Sequence, residues 1–434
     1  MTSNWATIRL DECASFQEGY VNPTQKKEHY FDGPVKWLRA VDLNNGSIRD
    51  TSRTLSEEGF KSAGKSALLF EPGTLAISKS GTIGRIGILE DYMCGNRAVI
   101  NIKVNQDVCD NLYIFYVLLT SRKVIETLAV GSVQKNLYTS ALGSLELKLP
   151  PLPIQQAIAI QLSTLDKKID LNAQTNQTLE EMAQAIFKSW FVDFDPVKAK
   201  MNSELPEGMD AATASLFPEK LVSETGLPEG WIQSEIGDEV TVVGGGTPSK
   251  KNDDFWVDGD IHWTSPKDLS GVQDKVLLDT ASKVTEAGLK KISSGLLPID
   301  TVLLSSRAPV GYLALAKVPM AINQGYIAMK CEKQLPPEFV LQWCVHRMDE
   351  IKQRASGSTF AEISKKSFKP ISVVVPSGEV LSAYRKVVKP LYDAITSNAR
   401  QNEQLSTLRD TLLPKLLSGE VNLEEDRSLS GALI

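Results

Sequence analysis

Ile158–Trp190 reads IAIQLSTLDKKIDLNAQTNQTLEEMAQAIFKSW. Core-type residues fall at Ile158, Leu162, Leu165, Ile169, Asn172, Asn176, Leu179, Ala183, Ile186 and Trp190. The steps alternate four and three without a break. A 3.5-residue repeat keeps one seam turned toward a partner helix. The spacing therefore predicts one member of a coiled coil rather than a lone surface helix. At about 1.5 Å per residue such a helix is roughly 50 Å long.

The pattern returns about 226 residues later, at Tyr384, Val388, Leu391, Ile395, Asn398, Asn402, Leu405, Arg409, Leu412 and Leu416. Arg409 breaks it, and Leu408 beside it is expected to take its place. Pro390 is expected to start or kink this second helix, because it lacks a backbone donor and crowds the preceding turn. Both copies carry two asparagines at matched inward positions. A buried Asn lowers stability but fixes register when it meets another polar group. The matched pairs predict that the two helices pack on each other.

The repetition extends beyond the helices. Trp5 matches Trp231, Trp37 matches Trp263, Asp42 matches Asp268 and Asn96 matches Asn323. EPGTLAISKSGTIGRIGIL from Glu71 matches LPIDTVLLSSRAPVGYLAL from Leu297, and each reads as strand, loop, strand. NLYIFYVLLTSRKVIETLA and PEFVLQWCVHRMDEIKQRA read as helices. The fold class is thus mixed α/β (α+β), with two tandem domains and two long helices. Residues 1–150 form the first domain and 151–195 the central helix. Residues 196–230, proline-punctuated and aperiodic, read as a linker. Residues 231–376 form the second domain, 377–420 the C-terminal helix, and 421–434 a tail expected to fray.

Composition narrows the function. At 434 residues, two to four domains are expected. Apolar runs such as YIFYVLL fall far short of the roughly 20 residues that span a bilayer. MTSNWATIRLDECASF lacks the basic-then-apolar order of a signal peptide. Five scattered cysteines fit a reduced, cytoplasmic setting, and the three histidines lie too far apart for a local zinc motif, so no metal site is expected. A net charge of −6 argues against nucleic acid for the chain as a whole. Local basic patches can override it, because contact forces act over about one Debye length.

GGGTPSKK, Gly244–Lys251, invites a phosphate-loop reading. The required G-x-x-x-x-G-K-[ST] spacing is absent. The first copy offers EGYVNPTQKKEHYFDG, with Pro23 on Pro248 and Gly33 on Gly259, and keeps only Gly19 of the glycines. The shared element is a Pro-Ser/Thr turn with lysines and aromatics, which reads either as a solvated surface turn or as a contact to phosphate, in which case the phosphate is expected to belong to DNA rather than to a nucleotide. Hydrolase and zinc-protease motifs are also missing, as is an adenine-methyltransferase tetrapeptide, so no catalytic residue is proposed. Candidate nucleic-acid contacts in the first copy are Thr24, Lys26, Lys27, Lys79, Ser80, Thr82, Arg85, Gln134, Lys135 and Asn136. In the second copy they are Thr247, Ser249, Lys250, Lys251, Ser306, Arg307, Ser358, Thr359, Lys365 and Lys366. Lys and Arg suit phosphates, and Arg, Asn and Gln suit base edges.

The chain resembles the DNA-specificity (S) subunits of type I restriction–modification systems. The resemblance covers nearly all of it. It rests on the two-copy layout and on LPPLPIQQAIAIQLSTLDKKIDLN, AIFKSWFVDFDPVKAK, LRDTLLPKLLSGEV and GGGTPSK. The resemblance implies that each α/β unit is a target recognition domain reading half of a bipartite double-stranded DNA site. It implies that the long helices pair antiparallel as a spacer and dock two methyltransferase subunits. Restriction subunits would then join. S-adenosylmethionine, ATP and Mg would belong to those partners; this subunit would bind no cofactor and catalyse nothing. Two alternatives stay open: a specificity module for another DNA-modifying effector, and a coiled-coil scaffold with no DNA role. The scaffold predicts no salt-dependent DNA affinity.

Overall fold

The computed structural model describes residues 5–132, 134–272, 274–356 and 361–421. The chain divides into two compact units, Met1–Lys168 with Leu405–Ile434, and Ile169–Gln404. Each long helix therefore contributes residues to both units.

In the first unit a five-stranded sheet has the order Ala14–Glu18, Val99–Val104, Leu75–Ser78, Ile86–Leu89, Ser47–Ile48. A three-stranded sheet orders Thr54–Leu55, Phe31–Leu38 and Met93–Gly95, and Ala6–Arg9 pairs with Glu146–Leu149. The strands around the glycine loop form because LAIS and IGIL are short and apolar, flanked by turn residues. They pair antiparallel, with Ile77 opposite Ile86. Leu75, Ile77, Ile86, Ile100 and Ile102 pack with Tyr113, Tyr116, Ile158, Leu162, Leu413 and Leu416 in one core.

The second unit repeats this topology. Its five strands run Thr241–Val243, Tyr326–Lys330, Val302–Ser305, Leu313–Ala316, Val276–Leu277. Its three-stranded sheet is Ser282–Val284, Ile261–Thr264, Ala321–Ile322, and Ile232–Glu235 pairs with Ser372–Val375. Phe187, Trp190, Phe191, Phe217, Trp231, Phe339 and Tyr384 build an aromatic core there. Ring centroids lie 4.9 Å apart for Phe191 and Phe339, and 5.0 Å for Trp190 and Phe217. The 196–230 stretch, read above as a linker, carries helices at Asp195–Met201 and Ala211–Ser215. It sends Val197, Ala214 and Phe217 into buried positions. These apolar residues are too few and too irregularly spaced to announce packing in the sequence.

The long helices are Leu152–Phe191 and Gly378–Ser418. Pro390 does not start the second one, which begins twelve residues earlier. Ser377 caps it, its hydroxyl accepting from the Val380 amide at 3.4 Å. Val388, Tyr392 and Ile395 are fully buried around Pro390. Their packing offsets the proline's cost of about 3 kcal/mol.

In the second unit, the Asn172 amide donates to Asn402 at 2.9 Å and to Gln401 at 2.8 Å. Asn398 donates to Asn176 at 2.8 Å. The pairs are crossed relative to the repeat numbering, as antiparallel helices require. Leu179, Leu391 and Ile395 pack in that core, whereas Tyr392, next to Leu391, is the more deeply buried. Among the flanking seam positions, Leu165, Ile169 and Leu405 are part-buried. In the first unit Arg409 itself fills its seam position and donates to Asp166 at 2.8 Å. Leu408 does not replace it, being 45% exposed. The Asp166 carboxylate also accepts from Tyr116 at 2.6 Å.

The crossing can be measured. A double-mutant cycle on Asn176→Ala and Asn398→Ala is expected to return a coupling of about 0.5–1.5 kcal/mol. The same cycle on Asn172 and Asn398, matched by sequence alone, should return less. The reverse ranking in denaturant unfolding contradicts the crossed register. Among the described residues, no helix is long and apolar enough to cross a membrane.

Candidate nucleic-acid interface

In each domain four loops meet at the ends of the five-stranded sheet. One is the opening stretch after the first strand of that sheet. Gly19 donates to the Val99 carbonyl and Val21 to the Gly95 carbonyl, while Gly246 donates to Ile322. The matched tryptophans hold this stretch. Trp37 Nε1 donates to the Val21 carbonyl at 2.7 Å, and Trp263 Nε1 to the Gly246 carbonyl at 3.0 Å. A Cβ on Gly19 or Gly245 would overlap the backbone of Gly95–Asn96 or Ile322. None of Gly244, Gly245 and Gly246 takes a left-handed conformation. A nest of amides needs alternating right- and left-handed residues, so GGGTPSK does not form a phosphate cradle of that kind. Its middle glycine serves a backbone crossing inside the protein.

The second element is the loop inside the strand pair. A buried serine ties its base in both copies. Ser78 Oγ donates to the Thr82 carbonyl at 2.5 Å and accepts from the Arg85 amide at 2.9 Å. Ser305 Oγ donates to Pro309 at 2.8 Å and accepts from Tyr312 at 2.8 Å. The third element is the asparagine turn. Asn96 accepts from the Ala98 amide at 3.0 Å, and Asn323 from the Gly325 amide at 2.8 Å. The fourth is the loop after the helix Arg122–Leu128 in one copy and Met348–Gln353 in the other, bridged to the loop inside the strand pair through Ser80 and Asn136 and through Arg307 and Glu362 respectively. Gly131, at φ 137°, lets the first of these loops fold back on Gln134.

The candidate side chains divide by their commitments. Lys79 gives its ammonium to Glu18 at 2.6 Å in a largely shielded pair, which fits a role in joining two loops. Lys27 lies over the Tyr30 ring at 4.7 Å. Its hydrogen bond to the Tyr30 hydroxyl at 2.8 Å raises its pKa. Arg307 pairs with Glu362 at 3.1 Å, but both side chains are nearly half exposed. Such a pair is weak, and a phosphate can displace it. Ser306 is 3% exposed and does not fit a contact role. Thr247 donates to Gln324 at 2.6 Å, and the Ser249 carbonyl accepts from Trp256 at 3.1 Å. Thr24, Lys26, Thr82, Gln134, Lys135, Lys250, Lys251, Lys365 and Lys366 are exposed; Ser80, Arg85 and Asn136 are part-buried. Lys365 reaches the opening loop, with Nζ 3.3 Å from where a Gly244 Cβ would stand. Ser358 and Thr359 lie outside the described residues.

Several matched residues turn out to be scaffold. Asp42 accepts from the Arg39 and Ser52 amides, both at 2.8 Å. Asp268 accepts from the Ser265 and Ala281 amides at 2.7 and 2.9 Å. Sequence reasoning missed Arg97 and Gln324, which stand exposed at the tips of the asparagine turns. Their signal was position: each follows a matched asparagine. Among the described residues, no cluster of three or more His, Cys, Asp or Glu could hold a metal ion.

Comparison with known proteins follows the same division. The chain is 28% identical over 382 residues to the HindI specificity subunit of Haemophilus influenzae, covering 77% of this chain and 82% of that one. It is 26% identical over 433 residues to the MjaIX specificity subunit of Methanocaldococcus jannaschii, covering 97% and 94%. Both are subunits of type I restriction enzymes. The fold is that of the type I restriction–modification S subunit from M. genitalium, with a TM-score of 0.57 at 17% identity over 95% of this chain and 96% of that one. Residues 2–181 and 228–407 each match the type I restriction modification DNA specificity domain. With that domain present twice and spanning both recognition units and most of both helices, the chain belongs to the type I restriction–modification DNA-specificity family.

Proposed function

We propose that this chain reads a bipartite DNA site for a type I restriction–modification assembly, one half-site per domain. The observation that carries the proposal is a scaffold built twice with different exposed side chains. The tryptophan, serine, aspartate and asparagine ties recur in both copies. Exposed positions beside them differ: Gln25 stands where Lys250 does, Lys135 where Ala361 does, and Ser140 where Lys366 does. Identical supports with unlike polar tips suit two readings of unlike sequences. Lysines would grip phosphates and set register, which tolerates a net charge of −6 because the positive groups are local.

The long helices would act as the ruler between half-sites and dock two methyltransferase subunits. Those subunits would bring S-adenosylmethionine and the catalytic groups, and restriction subunits would bring ATP and Mg. The chain itself would be non-catalytic and work in the cytoplasm. Exchange of residues 1–150 for a related domain tests the modular reading. Single-molecule methylation mapping is expected to show one half of the motif replaced and the other unchanged. Change in both halves, or none, would refute it.

A further inference from the structure

We infer that Arg97 and Gln324 are equivalent base-reading residues, Arg97 directed at a guanine in one half-site and Gln324 at an adenine in the other. The inference rests on the DNA-reading function proposed above. Both residues occupy the position after a matched asparagine, and the turn that presents them is the same in both domains. The asparagine side chain accepts from the amide two residues on, which is an Asx turn. The asparagine amide donates to the Leu38 carbonyl in one copy and to Thr264 in the other, each at 2.9 Å. The residue after the tip is held as well: the Ala98 carbonyl accepts from Lys79, and Gly325 from Ser306, each at 2.8 Å. The backbone on both sides of the tip is therefore fixed, and the tip side chain alone is exposed.

Chemistry then separates the two copies. Arginine offers a rigid fork of donors that matches guanine O6 and N7. Glutamine offers one donor and one acceptor that match adenine N6 and N7. Among the described residues the Arg97 guanidinium makes no hydrogen bond or ion pair, so the fold gives it no structural task. Gln324 accepts from the Thr247 hydroxyl at 2.6 Å. That bond orients the amide and leaves its NH2 free to donate. A phosphate anchor would keep a cation in both copies, and neutral glutamine is a poor one. Cations stand nearby in any case, at Lys250 and Lys251 on the loop that carries Thr247. The tip position thus has the properties of a readout position: fixed support, donors left free, and a residue whose identity changes with the copy.

The test uses the full chain assembled with its methyltransferase subunits. Wild type, R97Q, R97K and Q324R are compared by methylation mapping and by competition with duplexes changed one base at a time. R97Q is expected to move one purine position in the first domain's half-site from G toward A. The discrimination should change about 5- to 150-fold, the range of a bidentate base contact. Q324R should make the reverse change in the other half-site. R97K, which keeps the charge and loses the fork, should lose discrimination at that same base. The untouched half-site is the internal control for folding and assembly. Unchanged preference at every base overturns the inference while the DNA-reading function stands. So does uniform weakening across sequences with a salt slope lowered by about one, the mark of a phosphate contact. A wild-type assembly with no sequence preference at all overturns that function, and this inference with it.

Discussion

Gly245→Ala is expected to cost the second unit about 3 kcal/mol or more, whereas Gly244→Ala and Gly246→Ala should each cost less than about 1 kcal/mol. All three belong to one glycine run, so composition cannot separate them. At Gly244 an added Cβ meets only the end of the flexible Lys365 side chain, at 3.3 Å. At Gly246 the nearest atoms lie 3.8 Å away, in ordinary contact. At Gly245 the Cβ would overlap the Ile322 carbonyl, which is backbone and cannot swing aside. Ile322 is itself paired in the three-stranded sheet beside Thr264, so relief of the overlap must move a strand. Denaturant unfolding followed by tryptophan fluorescence measures this well, since Trp190, Trp231, Trp256, Trp263 and Trp343 lie in the second unit. An unfolding midpoint for Gly245→Ala equal to that of Gly244→Ala would show that the strands do not approach as described.

Glu180→Ala is the second large effect, with a loss of about 3 kcal/mol expected. Glu180 is a buried carboxylate on the central helix, 8% exposed. It accepts from the Tyr392 hydroxyl at 2.8 Å, the Gln342 amide at 3.0 Å and the Lys275 ammonium at 2.9 Å. Tyr392 and Gln342 are themselves buried, and burial with the nearby carboxylate holds the Tyr392 hydroxyl protonated well above its usual range. Removing the acceptor leaves these donors short of partners at roughly 1–3 kcal/mol each. Lys275 contributes less, because its partly exposed side chain can turn to water. Glu180→Gln keeps the shape and one acceptor, so it should lose clearly less than Glu180→Ala. Glu181→Ala, exposed on the next position, should lie within about 0.5 kcal/mol of wild type. Equal losses at positions 180 and 181 would mean that the buried network does not hold the helix to its domain.

The network has a counterpart in the first unit, matched at two of its three positions. Tyr116 stands where Gln342 does and bonds Asp166, which stands where Tyr392 does. The partner across the seam is Arg409 in one case and Glu180 in the other. The two copies thus keep a polar tie between helix and domain while changing every residue in it. This is why comparison of the two halves does not find it: two positions repeat with changed residues, and the third moves, since Glu180 matches Ser406 and Arg409 matches Ala183.

The sequence by itself determined the two-copy α+β architecture and the paired helices. Both signals are linear: a 3.5-residue period, and a repeat whose order and offset survive divergence. Each can be read without knowing what touches what. The residues expected at the DNA face were less legible for the opposite reason. Lys79 and Arg307 looked alike in their loops, yet their partners, Glu18 and Glu362, lie 61 and 55 residues away in sequence. Asp42 and Asn96 repeat as clearly as any candidate, but their side chains are spent on backbone amides. Only the tertiary structure decided which glycine of three is irreplaceable, which asparagine meets which, and which polar tips remain free. Those outcomes depend on where distant backbone segments cross, and no local spacing records a crossing.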